Sequence, residues 1–260
     1  YIGPMFRGER PQKGRLRQFH QLGVEAIGPN SASPYLDAEV ISLSIALLKA
    51  LGVSQYHLKI NSLGSAEDKA RFSKELRTLL LNDRSKLCPT CQERLDRNVF
   101  RILDCKSKEC QEIVKGLNLG TSFLSQESQQ YYRKVKEALQ SLQVAYEEVP
   151  TLVRGLDYYT QVVFEITSKN LGSQDALGAG GRYSGLVSEL GGSKEVDGIG
   201  FSLGMERVLL AQDAPAVPKE EKALDVFIVS LDELSFDKGF TLLHLLRQQG
   251  ICGDISFKVS

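Results

Sequence analysis

The chain has 260 residues and a mass of 28.8 kDa, with 42% hydrophobic and 25% charged residues, a composition typical of folded globular proteins rather than disordered ones. Its 32 basic residues balance its 32 acidic residues. Bulk charge therefore excludes a protein that coats polyanions, and any nucleic-acid surface must be local. No apolar run is long enough to span a bilayer, and the first residues do not resemble a secretory signal, so we expect a cytoplasmic protein with no membrane segment.

A row of polar side chains follows a predicted β-hairpin whose turn lies at residues 11–14. Because alternate residues of a strand face the same side, the return strand has one apolar and one polar face. The polar face carries two guanidinium groups, an aromatic ring, an amide and a carboxylate, in the order Arg15, Arg17, Phe19, Gln21 and Glu25. Such a row suits an extended ligand with a polyanionic end and a flat middle.

The middle of the chain predicts a sheet domain interrupted by an inserted module, because residues 66–143 are more polar and more helical than their surroundings. The predicted elements are a buried helix capped by Ser33 with Pro34 at its first position, a strand at 58–61, helices near 68–81 and 126–142, and strands at 144–153 and 162–167.

The last part of the chain predicts a linker and the beginning of a second domain. Residues 213–222 carry two prolines and several charges. They precede a predicted strand at 223–231, a helix at 236–249 and a strand at 251–259, with Cys252 packed in the core. This β-α-β unit lacks partners to complete a sheet and the first residue is Tyr, so we expect the sequence to be truncated at both ends.

The glycine-rich region between residues 172 and 204 does not match a nucleotide-binding loop of the Walker or dinucleotide type. Glycines in strands more often mark close packing or the close approach of a ligand. The three histidines, His20, His57 and His244, are expected to be structural. Chemistry would then depend on Arg, Glu, Gln and Tyr, residues that suit binding and charge stabilisation.

Four segments of the chain resemble motifs of the histidyl-tRNA synthetases, a family of class II aminoacyl-tRNA synthetases, and they occur in the family's order. They are FRGERPQKGRLRQFHQ at 6–21 (motif 2), LVRGLDYYT at 152–160 (the histidine signature), GAGGRY at 178–183 (a glycine-rich segment) and GIGFSLGMER at 198–207 (motif 3).

The resemblance implies an α+β fold in which an antiparallel catalytic sheet is flanked by helices. It also implies a mostly helical insertion domain and a C-terminal α/β anticodon-binding domain. The expected division is catalytic core at 1–65, insertion at 66–143, catalytic core again at 144–212, linker at 213–222, and the start of the anticodon-binding domain at 223–260.

The resemblance further implies that the chain activates L-histidine with ATP and Mg²⁺ and transfers it to tRNA(His), as a homodimer. Arg154 would lie between the histidine carboxylate and the α-phosphate as a catalytic cation, and Arg7 would bind the same phosphate. The implied ATP-binding residues are Arg7, Glu9, Arg15, Phe19 and Arg207. The implied histidine-binding residues are Gln21, Glu25, Arg154, Tyr158, Tyr159 and Tyr183.

Four of the five cysteines form two close pairs, Cys88-x2-Cys91 and Cys105-x4-Cys110. Two such pairs at this separation match a structural zinc site in which four thiolates complete the coordination shell. Free thiols in a reducing compartment are the alternative, and both remain open at this point.

Two other functions share the implied fold. A regulatory subunit of ATP phosphoribosyltransferase would bind histidine as a sensor without aminoacylation, and a pseudo-synthetase module would serve a larger signalling protein. Such sensors tend to lose the phosphate-binding arginines or the histidine signature, whereas Arg7, Arg15, Arg154 and Arg207 are all present. The sequence therefore favours the enzyme.

Overall fold

The computed structural model describes residues 1–8, 10–11, 15–29, 31–117, 119–154, 158–172, 175–192, 196–213 and 224–256. The chain divides into two compact units, Tyr1–Asp213 and Ala214–Ser260. The strands are β1 (Ile2–Phe6), β2 (Gln18–Gly28), β3 (His57–Ser62), β4 (Glu147–Glu148), β5 (Tyr159–Thr167), β6 (Ala176–Tyr183), β7 (Asp197–Gly204), β8 (Val226–Ile228) and β9 (Gly253–Ile255). The α-helices are α1 (Pro34–Ala50), α2 (Ala66–Leu81), α3 (Pro89–Arg97), α4 (Phe100–Leu103), α5 (Lys108–Gly116), α6 (Gln126–Ser141), α7 (Leu186–Glu189), α8 (Met205–Ala211) and α9 (Glu233–Gln248).

The first unit is built on a seven-stranded sheet in the order β1-β2-β7-β6-β5-β3-β4. The pairs from β1 to β3 are antiparallel, and the short edge pair β3–β4 is parallel. Strands β2 and β7 are distant in sequence but adjacent in the sheet, in register from Gln21 opposite Gly204 to Gly28 opposite Asp197. The expected antiparallel sheet flanked by helices, an α+β fold, is thus confirmed.

One face of this sheet packs on helices α1 and α6, because the apolar side chains of each strand alternate with glycines and polar residues. The core on this face includes Phe164 and Ile166 of β5 and Ile199, Phe201 and Leu203 of β7. The predicted apolar face of β2 packs against the same core through Leu22, Val24 and Ala26. The opposite face of the central strands is therefore left for the polar residues.

A buried ion pair joins the sheet to α1. Arg182 of β6 is 1% exposed and Asp37 of α1 is fully buried. The Arg182 Nε donates to both carboxylate oxygens of Asp37 at 2.9 and 3.1 Å, and Nη2 donates to the Ser31 carbonyl at 2.7 Å. Tyr131 of α6 donates its hydroxyl to the same carboxylate at 3.0 Å. Burial lowers the pKa of Arg182, but the hydrogen bonds and charge of Asp37 outweigh it and raise that pKa, so the guanidinium stays charged.

The segment from α2 to α5 has an apolar core of its own, formed by Phe72, Leu76, Leu80, Leu95, Ile102 and their neighbours. Its two ends meet at Asp68, which is fully buried. The Asp68 carboxylate accepts the backbone N–H of Ser65, before α2, and that of Ser125, before α6, at 3.0 and 2.9 Å. The apolar side chains of α6 itself pack with α1 and the sheet.

Several local predictions differ from the structure. Ser33 occupies the N-cap position of α1, but its side chain makes no capping hydrogen bond. The strand expected at 144–153 is reduced to the two residues of β4, because the segment lies at the sheet edge, where only Lys59 and Ile60 pair with it. Arg15 forms an isolated bridge and β2 begins at Gln18. Most of the hairpin turn, residues 12–14, lies outside the described residues.

The second unit contains β8, α9 and β9, and its two strands pair in parallel. This is the predicted β-α-β order. The prediction for Cys252 was wrong, because Cys252 is exposed and precedes β9. The predicted linker at 213–222 lies, apart from Asp213, outside the described residues. No helix among the described residues is both long and apolar enough to cross a bilayer.

Removing one partner of the Asp37–Arg182 pair leaves an uncompensated buried charge. We expect Asp37→Ala to lower the free energy of unfolding by about 3–5 kcal/mol, measured by urea denaturation of the first unit. The matched control is Asp96→Ala, which breaks an ion pair with Arg84. The Arg84 and Asp96 side chains are 49% and 63% exposed, so this substitution should lower the free energy of unfolding by about 1 kcal/mol or less. Equal effects of the two substitutions would contradict a structural role for the buried pair.

Candidate functional site

A polar cleft of about 420 Å³ opens on the sheet face that α1 and α6 do not cover. Strands β2, β6 and β7 form its floor. Side chains from β5, from α8 and from the helical module, the segment from α2 to α5, form its walls. The described lining residues include Arg7, Arg15, Phe19, Gln21, Asp104, Lys106, Arg154, Glu165, Asp175, Glu206 and Arg207. Arg7, Arg154 and Arg207, which are far apart in sequence and were predicted to share one site, thus meet in one cleft.

Cationic side chains dominate one half of this cleft. The guanidinium of Arg7 lies over the Phe19 ring, 3.8 Å from its centroid, and its Nε donates to the Leu16 carbonyl at 2.7 Å. Arg207 donates from Nη1 to the Ala176 carbonyl at 2.6 Å. Burial lowers the pKa of Arg207, and the charges of Arg7 and Arg15 lower it further. A bound polyanion would relieve this mutual repulsion, because opposite charges favour the ionised form.

Arg154 approaches the same half from the segment before β5. Its Nη1 donates to Glu165 Oε2 at 2.6 Å, and both side chains are about three-quarters buried. Its Nε is buried without a hydrogen-bond partner among the described residues. Asp157, the acidic residue that follows Arg154 in the histidine signature, lies outside the described residues. Arg154 is therefore oriented by one carboxylate and lines the cleft.

An aromatic cluster lies further along the same sheet face. Tyr183, which is 5% exposed, donates its hydroxyl to Glu25 Oε2 at 2.8 Å. The ring of Tyr158 contacts Tyr183 edge-on, with centroids 5.8 Å apart, and contacts Tyr159 with centroids 4.6 Å apart. Burial raises the pKa of Tyr159 and also that of Tyr183, so both phenols are neutral donors at neutral pH.

The glycines of the neighbouring strands make room for this cluster. Gly200 lies opposite Glu25 in the β2–β7 ladder, and Gly198 lies opposite Tyr183 in the β6–β7 ladder. A β-carbon at Gly200 would overlap the Glu25 carboxylate, and one at Gly198 would overlap the Tyr183 ring. The glycine-rich pattern therefore serves close packing of the polar cluster on the sheet, as expected for glycines inside strands.

Strand β2 connects the cationic half of the cleft with the aromatic cluster, which together form the two halves of the site. Phe19, Gln21 and Glu25 have the same parity and lie on one face of the strand. From Gln21 to Glu25 the strand advances about 13 Å at about 3.3 Å per residue. The site is thus an elongated surface, with guanidinium groups at one end and a carboxylate with phenols at the other.

Glu206 of α8 fixes the end of β2 next to the cleft. Its carboxylate accepts the backbone N–H of His20 at 2.9 Å and lies 3.0 Å from the His20 Nδ1. These contacts join the segment before Arg207 to the strand that carries Phe19 and Gln21. The structural role expected for His20 stays a prediction.

The structure brings together most of the residues predicted for the site. Arg7, Arg15, Phe19, Gln21, Arg154 and Arg207 line the cleft, and Glu25, Tyr158, Tyr159 and Tyr183 form the aromatic cluster. Glu9 lies outside the described residues. Arg17, the second guanidinium of the polar row, is exposed and does not line the cleft, because Arg17 lies in a bend before β2 and does not share the alternation of that strand.

Sequence reasoning missed five charged residues of the cleft: Asp104, Lys106, Glu165, Asp175 and Glu206. Glu165 and Glu206 lie inside or beside quoted motifs, so their proximity to Arg154 and Arg207 was a usable signal. Asp104 and Lys106 flank Cys105 in the helical module, and nothing in the local sequence indicates that this segment reaches the sheet.

The four predicted metal-binding cysteines converge. The sulfur atoms of Cys88, Cys91, Cys105 and Cys110 lie within 4.8 Å of one another, and no other group of three or more His, Cys, Asp or Glu side chains among the described residues could hold a metal ion. All four are free cysteines. A single divalent cation could contact all four sulfurs.

The sheet, with its ordered polar face, is the fold of a class II aminoacyl-tRNA synthetase. A family model described as histidyl-tRNA synthetase matches residues 1–208. A curated relative, the histidine–tRNA ligase of Halothermothrix orenii, is 46% identical over 258 residues, which is 99% of this chain and 61% of the relative. The chain therefore belongs to the histidyl-tRNA synthetase family.

Two solved structures support the same fold. The apo histidyl-tRNA synthetase of S. aureus is 35% identical, with a TM-score of 0.70, and the alignment covers 100% of this chain and 62% of that one. A Bacillus halodurans protein described as an ATP phosphoribosyltransferase regulatory subunit/histidyl-tRNA synthetase has a TM-score of 0.62 at 22% identity, with 98% and 66% covered, and this likeness concerns the fold alone. The chain spans about 60% of the length of the curated relatives it matches.

The Tyr183–Glu25 bond gives a pH-dependent prediction. Burial raises the pKa of Glu25, and the hydrogen bond from Tyr183 offsets part of that rise. Because the bond favours the carboxylate, Tyr183→Phe should raise the pKa of Glu25 further, measured by ¹³C NMR titration of labelled glutamate. Tyr158→Phe is the matched control and should leave the pKa of Glu25 unchanged. A pKa of Glu25 that Tyr183→Phe leaves unchanged or lowers would contradict the assigned bond.

Proposed function

We propose that the protein is a histidine–tRNA ligase, which activates L-histidine with ATP to histidyl-adenylate and transfers the histidyl group to tRNA(His). The observation that carries this proposal is the elongated site itself. Guanidinium groups surround one end, and the Glu25 carboxylate, which accepts a hydrogen bond from a phenol, lies at the other. The two ends match the two ends of histidyl-adenylate, a nucleotide phosphate and an imidazole.

ATP would occupy the cationic half. Arg7 would bind the α-phosphate, and Arg15 and Arg207 the outer phosphates. Planar guanidinium groups suit this task because each pairs with two oxygens and remains charged. The Phe19 ring would stack on adenine, with Glu9 near its edge. Arg7 lies over Phe19 in this structure, so adenine stacking on that face requires the Arg7 side chain to move toward the phosphates.

Mg²⁺ takes oxygen ligands, usually one or two carboxylates together with substrate phosphates. Asp175 and Glu206 line the cleft beside Arg207 and would supply such oxygens. When bound with ATP, the ion would offset phosphate charge.

Histidine would occupy the aromatic half. Glu25 and Tyr159 would contact the two ring nitrogens, Gln21 the α-amino group, and Tyr158 and Tyr183 would line the pocket. A different amino acid would leave this carboxylate or phenol unpaired. Sites that hydrogen-bond their substrate in this way discriminate by about 10⁴–10⁵ without editing.

Arg154 would act where the two substrates meet. In adenylation a carboxylate oxygen of histidine attacks the α-phosphorus, and the bond to pyrophosphate breaks. Two unit negative charges 4 Å apart repel by about 4 kcal/mol at an effective dielectric near 20. A guanidinium between them removes much of that barrier, and each 1.36 kcal/mol is about tenfold in rate. The bond to Glu165 would hold Arg154 in place for this role.

The names of the relatives support tRNA(His) as the acceptor. A homodimer, a cytoplasmic location and the domain division given above are parts of the same proposal. The alternative, a histidine-sensing regulatory subunit, would bind histidine without activating it. The four arginines around the cleft favour activation, because a sensor has no phosphate chain to bind.

The test is histidine-dependent exchange of pyrophosphate into ATP, measured with the complete protein. We expect exchange that histidine alone among the amino acids elicits and that Arg207→Ala abolishes. Histidine binding without exchange would contradict the ligase function and favour the histidine-sensing regulatory subunit.

Arg154→Ala should lower the rate of adenylation at least ~10²-fold, as for the loss of a group that stabilises developing charge. The matched control is Arg84→Ala, which removes an exposed arginine of the helical module and should leave the rate unchanged. A loss below ~3-fold would exclude Arg154 from the mechanism.

A further inference from the structure

The four-cysteine cluster lies outside the proposed active site, and its geometry is specific. Zinc–sulfur bonds of about 2.3 Å in a tetrahedron place the sulfur atoms about 3.8 Å apart. The Sγ atoms of Cys88 and Cys105 are 3.8 Å apart, and all four lie within 4.8 Å of one another. The cluster thus already has nearly the dimensions of a tetrathiolate site.

The backbone brings two helix N-termini to the cluster. Cys88 is the N-cap of α3, Cys91 lies in its first turn, and Cys110 lies in the first turn of α5. The backbone N–H of Cys88 also donates to Cys110 Sγ at 3.3 Å. The beginnings of α3 and α5 are thus joined directly at the sulfur atoms.

The cluster also connects three separate pieces of the module. Cys88 and Cys91 belong to α3, Cys105 follows α4, and Cys110 belongs to α5. A bound ion would fix these short helices to one another, in a segment where α3 and α5 have only nine residues each. Such a site contributes folding free energy directly.

The residues on either side of Cys105 reach the cleft. Asp104 and Lys106 line it together with Arg7 and Arg154. Fixing the position of Cys105 therefore fixes the Asp104 carboxylate and the Lys106 ammonium group at the wall of the cationic half of the cleft.

We propose that Cys88, Cys91, Cys105 and Cys110 bind one zinc ion as a tetrathiolate, and that this ion positions the 104–106 segment against the phosphate-binding half of the cleft. The first part stands on the cysteine geometry alone. The second part rests on the proposed binding of ATP.

The first part is tested by metal content. The protein is purified without chelators or a metal-affinity tag, and zinc is quantified by plasma mass spectrometry. We expect about one zinc per chain, lost in Cys91→Ser and in Cys110→Ser. Cys252→Ser is the matched control, because it removes the exposed cysteine outside the cluster, and it should retain the metal.

A spectroscopic measurement avoids dependence on variants that fail to fold. Cobalt(II) substituted into the wild-type protein should give the visible ligand-field absorption and the sulfur-to-metal charge-transfer band of a tetrahedral tetrathiolate. Zinc at substoichiometric traces, together with a cobalt spectrum that lacks these bands, would overturn the metal site and leave four free thiols.

The second part is tested by calorimetric titration of ATP and of histidine into the zinc-loaded and metal-free proteins. We expect metal removal to weaken ATP binding at least about 5-fold, a typical coupling between sites, and to change histidine binding less. Equal ATP affinity in the two forms would overturn the positioning role. Absence of ATP binding by the zinc-loaded protein would count against the proposed function as well, whereas the metal content would still decide the first part.

Discussion

The buried pair between Arg182 and Asp37 is the interaction on which the rest of the site depends. It holds β6, in the middle of the sheet, against α1 through hydrogen bonds from Arg182 to Asp37 and to the Ser31 carbonyl, and Tyr131 of α6 donates to the same carboxylate. Because alternate residues of a strand face opposite sides, Tyr183 next to it faces the cleft side. The anchored guanidinium therefore fixes where the Tyr183 hydroxyl meets Glu25.

The two faces of the sheet thus differ in composition and in role, one forming the core and the other the site. The face toward the helices is filled by large apolar residues such as Phe164 and Phe201, with the ion pair enclosed among them. The other face is lined by glycines and polar residues, because Gly198 and Gly200 leave room there for the side chains of Tyr183 and Glu25. Strand β2 belongs to both, since Leu22 and Val24 pack in the core while Gln21 and Glu25 lie on the site face.

Much of this could be predicted from the sequence. The alternation in β2 predicted which residues share a face, and the quoted motifs predicted that Arg7, Arg154 and Arg207 lie near one another. The Arg182–Asp37 pair was not predicted, because a single Arg between glycines and a single Asp in an apolar helix do not identify each other as partners. The approach of Asp104 and Lys106 to the cleft was likewise beyond sequence reasoning, since it depends on how the helical module packs on the sheet.

In the proposed function, the elongated polar face binds the two ends of one reaction intermediate. The most direct test is a crystal structure of the protein with a non-hydrolysable histidyl-adenylate analogue. We expect the imidazole within hydrogen-bond distance of Glu25 and Tyr159, and the phosphate-like group between Arg7 and Arg154. An analogue bound with its imidazole away from Glu25, or with its phosphate-like group out of reach of both arginines, would contradict the proposed binding mode.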